Sequence, residues 1–421
     1  MKIVLISIGT RGDMEPFLAI GELLKKKGHE ILCVFPEQFR ELTQESKLEF
    51  KGLTSKFIKL LESDDAKVTM DGKGISYKKL KAYISLYKKS NTVNKLLVKQ
   101  QHDILEKEKP DKVIYSIKAT YPVIWGIKNP NKSYLISPIP CLIHAVKNHA
   151  AIGFKGNYGT LINNFTYFIT NIAIVSNIVS STKKYMNIYN ISKKKIKKEL
   201  IEKRIIYTVS PSIFKKPQYW KTDSHVLGYH SRKINNDWKA DNDLIQFMNM
   251  HNKILFITFG SMTNPNPRET MNIILEILEE QNIKAIINTA SGGLIKPLKY
   301  NTNSIYFTEN IPYAWIFPKV YAVMHHGGSG TTHMGLKYSC ATLIIPHILD
   351  QFLWNDLISS LNVGPKGIPI NKLKKEILSS KIVAMMHNKS YKGNAIQLGK
   401  QMRKENYKKV LYQTLVEKKL T

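Results

Sequence analysis

Val320-Tyr321-Ala322-Val323-Met324-His325-His326-Gly327-Gly328-Ser329-Gly330-Thr331-Thr332-His333-Met334-Gly335-Leu336 is the stretch that decides the architecture. An apolar run of buried-strand character enters two histidines, a glycine-rich turn and two threonines, then a segment able to start a helix. Such a strand–turn–helix aims backbone N–H groups and the positive end of a helix at one spot, which suits a phosphate or diphosphate. Two strand-end histidines satisfied within their own loop are the plainer account, and the surrounding glycines and threonines weigh against it. Further on, Ile344-Ile345-Pro346-His347-Ile348-Leu349-Asp350-Gln351 reads as a second buried strand ending in a polar pair.

The same alternation extends outward. Strands are expected at Ile254–Phe259, Lys284–Asn288, Ser304–Phe307, Val320–Met324 and Ala341–Ile345, with helices over Arg268–Glu280 and Phe352–Leu361. The first residues repeat the pattern: strand Lys2–Ile8, helix Pro16–Lys27 with Gly28 as its stop, and strand Ile31–Phe35. Asp111–Tyr115 adds a strand after a long helical stretch, while residues 55–105 and 155–205 read as less regular. Strands alternating with helices imply parallel sheets covered on both faces. The expected fold class is α/β, two doubly wound Rossmann-like domains facing a cleft, with ligands outside the carboxyl ends of the strands. The expected division is residues 1–230, a polar linker at 231–245, a second domain at 246–400 and a C-terminal helix at 401–421 that packs back on the first domain.

Bulk properties bound the function. A chain of 421 residues exceeds one ordinary domain, and 43% hydrophobic residues suffice for packed cores. Lys and Arg number 63 against 32 Asp and Glu, a net charge of +31 that favours anionic partners. No nucleic-acid-binding motif accompanies it, so nucleic acid is not an expected partner. Cys33, Cys141 and Cys340 are widely spaced and odd in number, which points to a reducing, cytoplasmic compartment and to no metal site. The apolar start is too short for a secretory signal. Gly156–Thr182 contains no charged residue, but its asparagines are too many for a bilayer span. It is followed by Lys183–Arg204, nine Lys or Arg against Glu199 and Glu202. That run is either a solvated helix face or, with the uncharged stretch before it, a surface for peripheral contact with an anionic membrane.

The turn after the first strand is Gly9-Thr10-Arg11-Gly12-Asp13-Met14-Glu15-Pro16. Asp13 is expected just before a helix. It either caps that helix or stands as a carboxylate that takes a proton from an incoming hydroxyl.

Gly9-Thr10-Arg11-Gly12-Asp13 with Pro16-Phe17-Leu18-Ala19, Phe259-Gly260-Ser261-Met262, Asn310-Ile311-Pro312-Tyr313-Ala314-Trp315-Ile316-Phe317-Pro318, His325 to Thr332, and Asp350-Gln351-Phe352-Leu353-Trp354 together resemble family 1 glycosyltransferases of the GT-B fold. The branch they resemble is that of the sterol glucosyltransferases and antibiotic glycosyltransferases. The resemblance spans the chain in order, with little matched in residues 55–230, where such enzymes form the acceptor pocket. It implies Asp13 as general base. It places His326, Gly328, Ser329, Gly330, Thr331 and Ser261 at the donor diphosphate, Asp350 and Gln351 at the sugar hydroxyls, and the backbone of Ile311 at the base. Plant relatives stack the base on a Trp where this chain has Asn310, and hold the ribose with a Glu where it has Met334, so those two contacts do not carry over.

The function so implied is inverting transfer of a hexose, glucose first, from a UDP-sugar co-substrate to a hydroxyl of a hydrophobic acceptor: a sterol, lipid, polyketide or phenol. No cofactor or metal is expected. The alternatives are a nucleotide-sugar epimerase and a non-catalytic nucleotide-sugar or lipid-binding protein. An epimerase leaves Asp13 in its glycine turn unexplained.

Overall fold

The computed structural model describes every residue except 62, 64, 66–76, 203–204, 221–223, 233–237, 261, 263, 265, 291–292 and 418–421. It divides into two units, Met1–Lys233 with Asn406–Thr421, and Ile234–Glu405. Ser261 and the Lys203–Arg204 end of the basic run lie outside the described residues.

Unit 1 runs β1 (Lys2–Ile6), α1 (Arg11–Lys26), β2 (Glu30–Pro36), α2 (Arg40–Glu45), β3 (Glu49–Leu53), α3 (Lys56–Leu61), α4 (Tyr77–Glu108) and β4 (Lys112–Tyr115). It continues through α5 (Tyr121–Lys128), β5 (Ser133–Ser137), α6 (Thr160–Ile188), α7 (Lys193–Glu202), β6 (Ile205–Tyr207) and β7 (His225–Val226). Its strands form one parallel sheet in the order β3-β2-β1-β4-β5-β6-β7. Strands β1 and β4 are neighbours, with Ile6 opposite Tyr115. The chain order reverses there, so the carboxyl ends of β1 and β4 flank the topological switch point, where open α/β sheets bind ligands.

Unit 2 runs α8 (Asn242–Met250), β8 (Ile254–Thr258), α9 (Pro267–Glu280), β9 (Lys284–Asn288), β10 (Ile305–Thr308), α10 (Tyr313–Ile316) and β11 (Ala322–His325). Then follow α11 (Ser329–Lys337), β12 (Ala341–Ile344), α12 (Gln351–Ser360), α13 (Lys375–His387) and α14 (Lys389–Lys404). Its parallel sheet has the order β10-β9-β8-β11-β12, with the switch between β8 and β11. The final helix, α15 (Lys408–Val416), belongs to unit 1, where Leu411 and Leu415 join the core built on Ile3, Leu5, Phe17 and Leu24.

Four expectations are corrected. The first helix starts at Arg11, not Pro16, and the first strand stops at Ile6, not Ile8. Thr10 is the N-cap and Asp13 the N3 residue of a reciprocal capping box, which anchors the helix early enough to accommodate Pro16 inside it. Residues expected to be less regular contain the two longest helices among the described residues, α4 with 32 residues, in the long helical stretch expected before β4, and α6 with 29. Their buried faces mix polar and apolar residues, so the apolar period that marks an ordinary surface helix is blurred. The stretch expected to be linker contains the start of α8, capped by Asp241, whose side chain accepts from Leu244 N at 2.7 Å.

Candidate functional site

In unit 1 the turn after β1 holds Asp13 by both carboxylate oxygens. Oδ2 accepts from Thr10 N at 2.8 Å and lies 3.3 Å from Thr10 Oγ1. Oδ1 accepts from Lys118 Nζ at 2.8 Å, in the turn after β4. Gly9, at φ +139°, lets the backbone pass under this carboxylate; a Cβ there would overlap Asp13 Oδ2. Asp13 therefore does serve the helix N-terminus, but its side chain stays 20% exposed at the sheet edge. Glu15, the other acid of the turn, is bound by Arg232, whose Nε donates to Oε2 at 2.7 Å and Nη2 to Oε1 at 3.1 Å, and by Arg11 Nε at 3.0 Å. Burial opposes ionisation of Glu15, and Arg232 outweighs it, holding the carboxyl below its ordinary value.

Lys118 also lines a pocket of about 470 Å³, with Ile117, Ile152, Phe154, Ile169 and Ile174 among its walls. The pocket is apolar except for the Lys118 ammonium and the polar atoms of Thr170 and Asn177. Sequence reading did not reach Lys118. Its only signal is its place just after a strand, and its meaning depends on β4 lying beside β1.

In unit 2 the turns after β8 and β11 meet. His325 ends β11, and Gly327 N donates to its Nδ1 at 3.0 Å, which leaves the ring proton on Nε2. His326 follows, with Gly260 and Gly328 against its ring; a Cβ at Gly328 would stand 2.6 Å from Nε2. Gly328 is the N-cap of α11, and Ser329, Gly330 and Thr331 form its first turn. The first amides of a helix point outward along its axis, an arrangement that suits an anion. Among the described residues, His325 Nε2, His326 Nδ1 and His347 Nε2 are buried nitrogens without a hydrogen-bond partner. Burial holds all three rings neutral: His325 near 3, His347 near 4, and His326 well below the imidazole range, with His325 and His347 adding to the effect. Buried polar atoms are normally paired, so this cluster has the hydrogen-bonding capacity of a ligand site.

The polar pair after β12 is split in its contacts. Gln351 is buried, and its Oε1 accepts from His347 N at 2.6 Å and Ile348 N at 3.1 Å, bracing the loop. Asp350 sits at the N-cap position of α12 without capping it, and its Oδ2 accepts from Trp354 Nε1 at 3.2 Å. Ile311 is buried. Beside it the Asn310 carbonyl accepts from Trp238 Nε1 at 3.3 Å, and Trp238 lies edge-on to Trp315 at 4.9 Å. Trp238, in the expected linker, is a second residue that sequence reading missed.

Known proteins bear on these two half-sites. Residues 3–122 match the glycosyltransferase family 28 N-terminal domain, and residues 283–417 match the erythromycin biosynthesis protein CIII-like C-terminal domain. Two sterol 3-beta-glucosyltransferases of Arabidopsis thaliana are 28% and 26% identical to this chain, each alignment covering 96% of it. The chain spans 64% and 66% of those two relatives' own length, somewhat under two thirds. Among solved structures, the glycosyltransferase of kitacinnamycin superposes with a TM-score of 0.70 at 14% identity, covering 98% of this chain and 99% of that one. The chain is therefore similar to glycosyltransferases of the sterol and antibiotic branch of family 1, through one glycosyltransferase domain model in each unit, and its fold is the two-domain α/β fold of the GT-B enzymes.

Proposed function

We propose that the protein transfers a hexose, with glucose the first candidate, from a UDP-sugar to a hydroxyl of a hydrophobic acceptor, with inversion at the anomeric carbon. The observation that carries the donor half is the buried His326 ring, its Nε2 edge against Gly328 at the start of α11 and its Nδ1 without a hydrogen-bond partner among the described residues. The diphosphate leaves with negative charge building on its outer phosphate. The α11 amides and a neutral imidazole N–H meet that charge where it develops. In this reading protein dipoles suffice, and no metal ion is required. Ser329, Gly330 and Thr331 close on the phosphates, Asp350 takes sugar hydroxyls, and Gln351 fixes the loop that presents them. The Ile311 backbone, with Trp238 and Trp315 nearby, serves the base.

The acceptor half is supported by Asp13, the pocket beside Lys118, and the absence of charge from most of its wall. The acceptor oxygen attacks the anomeric carbon as its proton passes to Asp13. The carbon–oxygen bond to the diphosphate breaks, and UDP leaves with the electron pair. An α-linked donor gives a β-linked product. A sterol, lipid, polyketide or phenol meets the pocket's chemistry, and peripheral contact with an anionic membrane goes with a membrane-borne acceptor. Incubation with a panel of nucleotide sugars, scored by slow donor hydrolysis with and without a chelator, tests the donor half. Turnover of UDP-glucose that survives chelation is expected; hydrolysis of none of the panel would refute the reading.

A further inference from the structure

Helix α6 is built inside out. Its inward face carries polar residues that satisfy the loop preceding it. Asn163 Nδ2 donates to Lys147 O at 2.8 Å, Thr166 Oγ1 accepts from Ala151 N at 2.9 Å, and Asn171 Nδ2 donates to Ile143 O at 3.2 Å. With that face given to the loop backbone, its outward face carries Leu161, Ile162, Phe165, Phe168, Ile169 and Ile172, all exposed. Their spacing of three and four residues makes one stripe, about 17 Å long at 1.5 Å per residue. Tyr167, also apolar, is buried on the other side. An apolar stripe of this size on a folded chain marks a contact surface.

Charge says what the contact is. The helix contains no Asp or Glu, and further along the same exposed side come Lys183 and Lys184. The next helix, α7, packs against α6 and displays exposed lysines at 193–195, 197 and 198 around buried Ile196 and Leu200. Apolar side chains that can enter the acyl boundary, flanked by lysines at headgroup level, describe an interfacial helix on an anionic leaflet.

We infer that the outer face of α6 docks the protein on an anionic lipid surface, with α7 supplying the headgroup contacts. Ile169 belongs both to the stripe and to the wall of the 470 Å³ pocket beside Lys118, so the docked face runs into the pocket. The docking stands on the surface alone. Its purpose, passing a membrane-borne hydroxyl compound toward Asp13, rests on the glycosyltransferase reading.

The test is co-sedimentation of the full chain with phosphatidylcholine vesicles, with and without phosphatidylserine, at low and high salt. Retention by the phosphatidylserine vesicles at low salt is expected. Phe165→Asp with Phe168→Asp removes two side chains that are 59% and 57% exposed and outside the pocket, so the core is unaffected. That variant is expected to lose about tenfold or more in vesicle affinity while keeping its unfolding midpoint. Lys183→Glu with Lys184→Glu is expected to flatten the salt dependence. Equal retention of the Phe165/Phe168 variant and the wild type overturns the assignment. So does a concentration-dependent dimer dispersed by those substitutions, without vesicle retention, which gives the face to a second copy of the chain. UDP calorimetry on the same samples separates the two ideas. Vesicle retention without UDP binding sinks the glycosyltransferase reading and leaves the surface standing.

Discussion

Asp13 has two partners and one opening. Thr10 holds Oδ2 and Lys118 holds Oδ1, while Arg11 and Arg232 occupy the neighbouring Glu15, so of the two acids in the turn Asp13 is the one not held by an arginine. Asp13→Asn keeps both cap and shape but removes the proton acceptor. Transfer is expected to fall by roughly 10²–10⁴-fold, with UDP affinity nearly unchanged by calorimetry. Lys118 reaches the chemistry through Asp13 and acts as a positioning residue. Lys118→Met is expected to lower kcat by about tenfold with little change in the donor KM, and Lys118→Arg to restore most of it. A loss confined to the unfolding midpoint, with kcat intact, would reduce Lys118 to a structural ion pair. In unit 2, His326→Ala is expected to weaken UDP binding by about tenfold and uridine binding hardly at all, because its ring lies against Gly328 at the helix start. Equal losses for the two ligands by calorimetry would move His326 away from the diphosphate. Asp13 and His326 were legible in the sequence because a glycine turn after a strand is a local signal. Lys118 and Trp238 were not, because each gains its meaning from a partner about a hundred or seventy residues away.

The β11–α11 connection shows what an element can carry beyond its motif. It brings His325, His326 and His333 into the interior as neutral rings, and the loop after β12 adds His347. In each case the folded-state value lies below the ordinary imidazole value near 6.5 because burial disfavours the charged ring. As pH falls below about 6.5 the unfolded chain binds protons that the folded chain refuses, so stability is complete above that value and declines toward pH 4. Each ring contributes up to about 1.4 kcal/mol per pH unit within its own window. The unfolding midpoint of unit 2 is expected to drop across this range, and His325→Asn to make the drop shallower. A midpoint independent of pH between 6.5 and 4 would mean that these rings protonate without unfolding. Elements with one strong period were readable: β8, β9, β11 and β12 fall within two residues of their expected bounds, because both faces of a parallel strand are apolar. Helix α6 was not, since it turns asparagine and threonine inward and phenylalanine outward. A pattern that inverts the usual rule looks like noise until the loop it satisfies is known.

At the scale of the whole molecule, the chain makes two α/β units but does not give each a single continuous segment. Two parallel sheets follow from strands alternating with helices, a rule that needs no long-range knowledge. The last helix, α15, is short, and its outer face is ordinary polar sequence. The structure gives it a definite task. Leu411 and Leu415 are fully buried in the core of β1 and α1, and Lys112 Nζ donates to the carbonyls of Leu415 at 2.6 Å and Val416 at 3.1 Å, closing the C-terminal end of α15. Tyr412 adds a hydrogen bond to His29 Nε2 at 3.2 Å, and Tyr407 packs on Gly228, where φ is +76°. Burying each leucine contributes about 1.5–3 kcal/mol, and the lysine–carbonyl bonds about 1 kcal/mol each. Set against the 5–15 kcal/mol typical of a domain, removing the segment takes a large part of one unit's stability and none of the other's. Truncation after Glu405 is therefore expected to lower the unfolding transition of unit 1 by more than ten degrees, or abolish it. The transition of unit 2, and UDP binding at His326, are expected to persist. Calorimetric scans of the truncated and full chains decide it: equal shifts of both transitions would show that residues 406–421 stabilise the two units alike, and no shift would show that α15 adds nothing to the core it enters.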